Sequence, residues 1–247
     1  MAVIVVTGRG GAGKTTTTSN LSTYLATGEY RVLAIDGDLY LPNLGFHFGI
    51  DNVKYTVHSI LKDPSINPEW AIYKNKATGV YVMPGSTNLR DVLGISPQKL
   101  RDVIDEVRYH FGVVFIDSPT GVPFDTLPTF EIADYQVIVV EIERSPIYSF
   151  ETMVENEVKK LKALGDEYNL KVGVILNKVR ESRNVVDRII EMIEEEIGTP
   201  VLGWVPFDEN VPESINVGLP ILAYKPKSDA AIAFSEVGEA LERWMFG

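Results

Sequence analysis

Residues 3–16 read VIVVTGRGGAGKTT: an apolar run, a glycine-rich turn, then the opening of a helical pattern. Within it, Gly8-x4-Gly13-Lys14-Thr15 is the phosphate-binding loop pattern, in the strand–turn–helix context that pattern requires. Gly8, Gly10, Gly11 and Gly13 let backbone N–H groups curl around phosphate oxygens where a Cβ would collide. Arg9 and Ala12 complete the turn, and the helix start at Lys14, Thr15 and Thr16 adds unpaired donors and the positive end of a dipole. Lys14 supplies a point charge for β and γ phosphates, and the Thr15 hydroxyl can ligate Mg²⁺. A strand–turn–helix that used glycine only for tight packing would have no need of the Lys-Thr pair.

Further along, short Val/Ile/Leu runs alternate with helical patterns. Strands are expected at Val3–Thr7, Arg31–Ile35, Val80–Met83, Val113–Ile116, Gln136–Ile142, Lys171–Leu176 and Val201–Val205. Their near-continuous apolar character is that of parallel strands buried on both faces. Helices are expected at Lys14–Ala26, Pro97–Phe111, Ile147–Leu164, Val185–Ile197 and Asp229–Met245. The pattern predicts an α/β fold of three layers, a mostly parallel twisted sheet with helices on both faces. No repeat, low-complexity tract or linker divides the chain, so residues 1–247 are expected to form a single domain.

Two of the expected strands end in carboxylates. Asp36 and Asp38 follow the second strand, and Asp117 follows Val113–Ile116. Ligands of open parallel sheets sit outside the carboxyl ends of the strands, so these acids are expected to face bound phosphates. Asp117, with Asp36 in support and Thr15, is the expected metal shell. Asp38, two residues further into its loop, is the candidate to orient attacking water. Lys14 and Arg9 are the other candidates to stabilise charge. Read singly, each acid is equally a loop starter or helix cap.

Composition narrows the alternatives. With no cysteine, disulfides, thiolate metal sites, iron–sulfur clusters and cysteine nucleophiles are excluded. A net charge of −11 disfavours nucleic-acid binding, which needs clustered Lys and Arg. No apolar run is long enough to span a membrane, and the first eight residues lack a leader's basic flank, so a cytoplasmic location is expected. The tail carries Ala230, Phe234, Val237, Leu241 and Trp244 at helix-stripe spacing, flanked by Glu236, Glu239 and Glu242 against one Arg243. Surface-seeking helices need several basic residues beside the stripe, so the expectation is a helix packed on the sheet and no stable membrane anchor. His47, His58 and His110 lack metal-ligand spacing.

Taken together, these residues resemble the Mrp/MinD family of ATPases, P-loop proteins with a deviant Walker A motif. The loop Arg9-Gly10-Gly11-Ala12-Gly13-Lys14-Thr15 resembles the family's KGGxGK[ST]. DGDLYLPNL at 36–44 resembles its first switch and DSPTG at 117–121 its second. VILNKV at 174–179 and GWVPFDENVPESINVGLP at 203–220 resemble its base-binding segments. The resemblance implies ATP and Mg²⁺ as ligands, with Asn177 reading adenine and Pro206 and Phe207 against the base. It also implies a homodimer gated by ATP and a partner protein controlled by nucleotide state. In relatives the first loop Lys reaches across that dimer; here it is Arg9, either a cross-dimer donor or a solvated loop charge.

Within the family, the missing cysteines and weak tail are similar to the ATPase-type hydrogenase maturation proteins (HypB). That resemblance implies nickel delivery with the metallochaperone HypA. A MinD-like division or positioning ATPase is the alternative. A small-molecule P-loop kinase and a non-hydrolysing nucleotide-binding scaffold are the other readings.

Overall fold

The computed structural model describes residues 1–121, 127–142 and 149–247. Its centre is an eight-stranded sheet in the order β3-β4-β2-β5-β1-β6-β7-β8. The strands are β1 (Ala2–Thr7), β2 (Val32–Asp36), β3 (Tyr73–Lys74), β4 (Tyr81–Met83), β5 (Val113–Asp117), β6 (Tyr135–Glu141), β7 (Lys171–Val179) and β8 (Val201–Pro206). Every pairing is parallel except β3 with β4. The seven predicted strands are all present. The two-residue β3 is an addition, too short for a periodicity to betray it.

Helices cover both faces. On one lie α1 (Lys14–Thr27) and α11 (Asp229–Phe246), whose Leu21, Leu25, Phe234, Val237 and Leu241 pack on Ile4, Val6, Phe115, Val137 and Val139. On the other, α3 (Val57–Lys62) and α5 (Leu100–Val107) cover Leu33, Ile35, Val114 and Ile116. Beside them, α7 (Phe150–Glu167) and α8 (Arg183–Met192) cover Ile138, Val140, Val174 and Leu176. Single turns α2 (Leu44–His47), α4 (Leu89–Val92), α6 (Leu127–Phe130) and α10 (Ile221–Tyr224) and the short helix α9 (Asn210–Asn216) occupy the connections. They fall in stretches with too few turns for a 3.6-residue repeat to register.

Several boundaries differ from expectation. Pro97–Phe111 divides into a 3₁₀ turn at Pro97–Lys99, α5, and a second 3₁₀ turn at Arg108–His110. Only α5 buries a full stripe, Leu100, Val103, Ile104 and Val107. α8 widens into a π turn over Ile193–Ile197 and stops at Gly198 in the left-handed region, φ 71°. The expected start of α7, at residues 147 and 148, lies outside the described residues. α7 is capped by the Ser149 side chain, which accepts from the Thr152 N–H at 3.2 Å.

The tail stripe is buried as its spacing requires: Ala230, Phe234, Val237 and Leu241 are all at most 1% exposed. The Tyr135 hydroxyl donates to the Met245 carbonyl at 2.8 Å, and Trp244 meets the Tyr135 ring edge-on. Where α11 crosses α1, a Cβ on Gly238 would lie 2.4 Å from the Tyr24 ring, so the two helices approach only because position 238 has no side chain. Among the described residues, no helix is long and apolar enough to cross a membrane.

Candidate functional site

Parallel pairing brings the carboxyl ends of β1, β2 and β5 together. Asp117 lies in register with Val6 of β1 on one side and with Asp36 of β2 on the other. The glycine loop leaves β1 at this point and feeds α1.

Gly8, Gly11 and Gly13 take φ of 149°, 84° and 92°, conformations that L side chains rarely adopt. A Cβ on Gly8 would lie 2.3 Å from the Val139 carbonyl oxygen, and one on Gly13 would lie 2.2 Å from Asn177 Nδ2. Gly10 passes close to Thr120, and Ala12 is fully buried with its N–H on the Arg9 carbonyl at 3.3 Å. Lys14 Nζ also donates to the Arg9 carbonyl, at 3.1 Å. Burial pushes the Lys14 ammonium below its ordinary pKa, and Asp117, Asp38 and Glu157 act against that shift.

The three acids are placed differently. Asp117 accepts from Thr15 Oγ1 at 2.6 Å and from Thr18 Oγ1 at 3.3 Å. Burial raises its pKa to about 6, although both hydroxyls and Lys14 pull it down. Asp36 is fully buried behind the switch segment, where it accepts from the Leu44 N–H at 3.0 Å and the Asp38 N–H at 3.3 Å. Burial, then Asp117, holds its carboxyl well above the usual range. Asp36 therefore anchors the 37–44 loop as well as sitting beside Asp117. Asp38 is half-buried, and its Oδ1 accepts from the Leu41 N–H at 2.9 Å.

A pocket of about 420 Å³ opens over the loop. Of the predicted residues, Gly11, Gly13, Lys14, Thr15, Thr16, Asp38, Asn177, Pro206 and Phe207 line it. Gly8, Ala12, Asp36 and Asp117 are buried outside that lining, and Gly10 is exposed. Asn177 Nδ2 donates to the Ala12 carbonyl at 2.8 Å, joining the expected base-reading residue to the phosphate loop. Arg9 folds back within its own chain: its N–H meets Glu157 Oε1 at 3.2 Å, its Nε lies 3.6 Å from Glu157 Oε2, and a guanidinium nitrogen reaches the Glu141 carbonyl at 3.4 Å.

Sequence reasoning passed over several lining residues. Lys178 contributes its side chain to the loop, and Asn43, His47, Asp208 and Pro212 complete the far wall. Arg180 stacks on Phe207 at 3.3 Å from the ring centroid. Lys178 directly follows Asn177 and Arg180 stands three residues after it, while Asn43, Asp208 and Pro212 fall within the segments 36–44 and 203–220 that carry the family resemblance. Of the far wall, His47 belongs to α2 and Pro212 to α9, while Asn43 and Asp208 stand in the loops before them.

The histidines serve structure. His58 Nε2–H donates to the Leu39 carbonyl at 2.8 Å, and Nδ1 accepts from the Ser86 N–H at 3.0 Å. His47 lies 3.3 Å from Ser19 Oγ, and burial pushes its pKa down to about 4. Between pH 6.5 and 4 the unfolded chain takes up a proton there that the folded chain refuses, so this group's contribution to stability is lost as pH falls. The cost approaches about 3 kcal/mol at pH 4. The raised carboxyls of Asp36 and Asp117 act in the opposite sense, so the effect is read by difference. Urea unfolding of His47→Asn should show a pH 7 to pH 4.5 loss smaller than the parent's by about 2 kcal/mol. An equal loss in both proteins would mean that His47 titrates normally.

Among the described residues, no three His, Asp or Glu side chains converge as a metal site. Mg²⁺ takes one or two carboxylates and completes its shell with water and phosphate. Thr15 fits such a shell: its hydroxyl proton is directed to Asp117, leaving oxygen lone pairs for a cation.

A glycine cradle at a helix start, its lysine, and a threonine of the first helical turn joined to an aspartate at the end of the adjoining strand define a P-loop nucleotide-binding protein. The chain belongs to the CobQ/CobB/MinD/ParA nucleotide binding domain family, which it matches over residues 3–221. It is 33% identical to an uncharacterized ATP-binding protein of Methanocaldococcus jannaschii over 241 residues, 98% of this chain and 88% of the relative. The cell division ATPase MinD of Pyrococcus furiosus superposes with a TM-score of 0.86 at 32% identity, over 98% of this chain and 99% of that one. The septum site-determining protein MinD of Pyrococcus horikoshii, complexed with Mg-ADP, gives 0.85 at 28% identity, covering 99% and 97%.

Proposed function

We propose that this chain is an ATP-hydrolysing switch of the MinD kind, a single domain whose nucleotide state governs pairing with a second copy and control of a partner protein. The observation that carries the reading is Thr15–Asp117 joined beneath a glycine loop that presents Lys14 to the pocket. The similarity to an Mg-ADP complex and to cell-division ATPases supports ATP, Mg²⁺ and the MinD-like alternative. It lends nothing to hydrogenase maturation, so HypB identity, nickel and HypA give way to a positioning or division role.

ATP supplies the phosphoryl group and Mg²⁺ offsets charge on its oxygens. Thr15 and Asp117 would hold the cation, with Asp36 buried beside them. The loop amides and Lys14 bind the phosphates. Asp38, lining the same pocket as Lys14 from the 37–44 loop, orients the attacking water. Asn177, Pro206 and Phe207 would receive the base. Arg9 reaches a second protomer only by leaving Glu157.

The test is γ-labelled ATP with and without Mg²⁺. Release as free phosphate is the expected result. Transfer of label to a metabolite would establish a kinase, and binding without turnover would establish a scaffold. Asp38→Ala protein loaded with ATP, against ADP-loaded protein, then serves as bait in native extract with liposome flotation beside it. Recovery of division or positioning proteins is expected; recovery of a hydrogenase chaperone would reinstate the maturation role.

A further inference from the structure

Side chains of consecutive strand residues point to opposite faces of a sheet. Asn177 and Lys178 break that rule. Asn177 Nδ2 donates to the Ala12 carbonyl at 2.8 Å, and Lys178 Nζ donates to the neighbouring Gly11 carbonyl. Two features of β7 make this possible: its pairing with β8 shifts register between Leu176 and Val179, and Lys178 sits in the left-handed region at φ 54°. An L residue with a long side chain adopts that conformation only at a cost. Here the cost turns a second side chain onto the same loop.

A trans peptide points its C=O and N–H in opposite directions. Tying the Gly11 carbonyl outward therefore turns the Ala12 N–H inward, where it closes on the Arg9 carbonyl at 3.3 Å. Tying the Ala12 carbonyl outward turns the Gly13 N–H away from Asn177. Lys178 is itself held, since its Nζ lies 3.4 Å from Glu141 Oε2 at the end of β6. The Glu141 carbonyl also receives the Arg9 guanidinium at 3.4 Å. One end of β6 thus braces both flanks of the loop.

The geometry points to Lys178 as a positioning residue for the phosphate loop: a strut, seated by the β7 bulge and braced by Glu141, that pre-sets the peptide planes at Gly11–Gly13 for a nucleotide's phosphates. Its role in binding rests on the nucleotide-binding reading above; its role in shaping the free loop does not.

Lys178→Gly and Lys178→Asn separate the strut from the backbone, because both residues accept positive φ while neither reaches Gly11. Three quantities are measured: the Mg-ADP dissociation constant, the thermal midpoint of the free protein, and amide exchange at Ala12 and Gly13 without nucleotide. The expected result is ADP binding weaker by about tenfold, the equivalent of one charge-assisted hydrogen bond. The midpoint should be unchanged or raised, since the left-handed strain is relieved, and exchange at both amides should be faster. A residue of merely structural importance would lower the midpoint. The proposal is overturned if both variants bind ADP within about twofold of the parent. It is equally overturned if weaker binding comes with a lowered midpoint and unchanged exchange. A parent that binds no nucleotide would instead overturn the proposed function, and the exchange comparison would still decide whether Lys178 shapes the loop.

Discussion

Asp38→Ala is expected to bind ATP with little change and to hydrolyse it on the order of a hundredfold more slowly, the usual effect of losing a group that orients water or moves its proton. Lys14→Ala should lose turnover by at least as much and lose nucleotide affinity with it. The ammonium sits in the pocket among Asp117, Asp38 and Glu157 and has no substitute in the loop interior. The contrast is the informative part. Asp38 lines the pocket from the switch loop, with Oδ1 accepting from the Leu41 N–H, whereas Lys14 belongs to the loop itself. Single-turnover hydrolysis and nucleotide titration on both variants separate the two roles. Turnover of Asp38→Ala within about threefold of the parent would assign Asp38 to the loop turn alone. Unaltered ATP affinity in Lys14→Ala would remove the lysine from phosphate binding.

The second large effect is on stability, at a helix crossing. Gly238→Ala places a Cβ 2.4 Å from the Tyr24 ring, at the crossing of α1 and α11. Both helices are fastened to the same sheet face, so neither can retreat without disturbing Phe234, Val237 and Leu241. Overpacking of this kind costs about 3 kcal/mol, a fall in thermal midpoint of roughly 6–12 °C for a chain of this size. Trimming the ring should relieve it: Tyr24→Ala and Gly238→Ala combined should cost less than the sum of the two alone. Additivity, or a Gly238→Ala protein as stable as the parent, would show that the helices can shift apart.

The sequence was most informative where local chemistry and position coincide. The strand–glycine–lysine succession at residues 3–16 placed the loop, and near-continuous Val and Ile runs placed seven strands, because a strand buried on both faces has no polar side to confuse the reading. The tail stripe was legible for the same reason. What could not be read depends on contacts between distant segments. Asp36 looks like Asp38 in sequence, yet one anchors the switch loop from behind and the other lines the pocket, a difference set by where Leu44 returns its N–H. Arg9 looked like a group facing outward, but Glu157 lies 148 residues away and draws it back. Lys178 followed Asn177 in plain view. The expected strand stopped at Leu176, and the register shift that accompanies the turn of Lys178 onto the loop has no signature in VILNKV.

The strand order has a consequence for how the chain is made. β1 is synthesised well before its neighbours β5 and β6, which end at Asp117 and Glu141. At roughly 5–20 residues per second, the AVIVVT segment waits about 7–30 s on the ribosome before both its edges can be paired. Throughout that wait it is an apolar, β-prone stretch with open edges, the kind of segment that seeds aggregation. Production of this protein is therefore expected to depend on protection of β1 during translation, and slower elongation between β1 and residue 141 should lower the yield of folded protein even though the finished fold is unchanged.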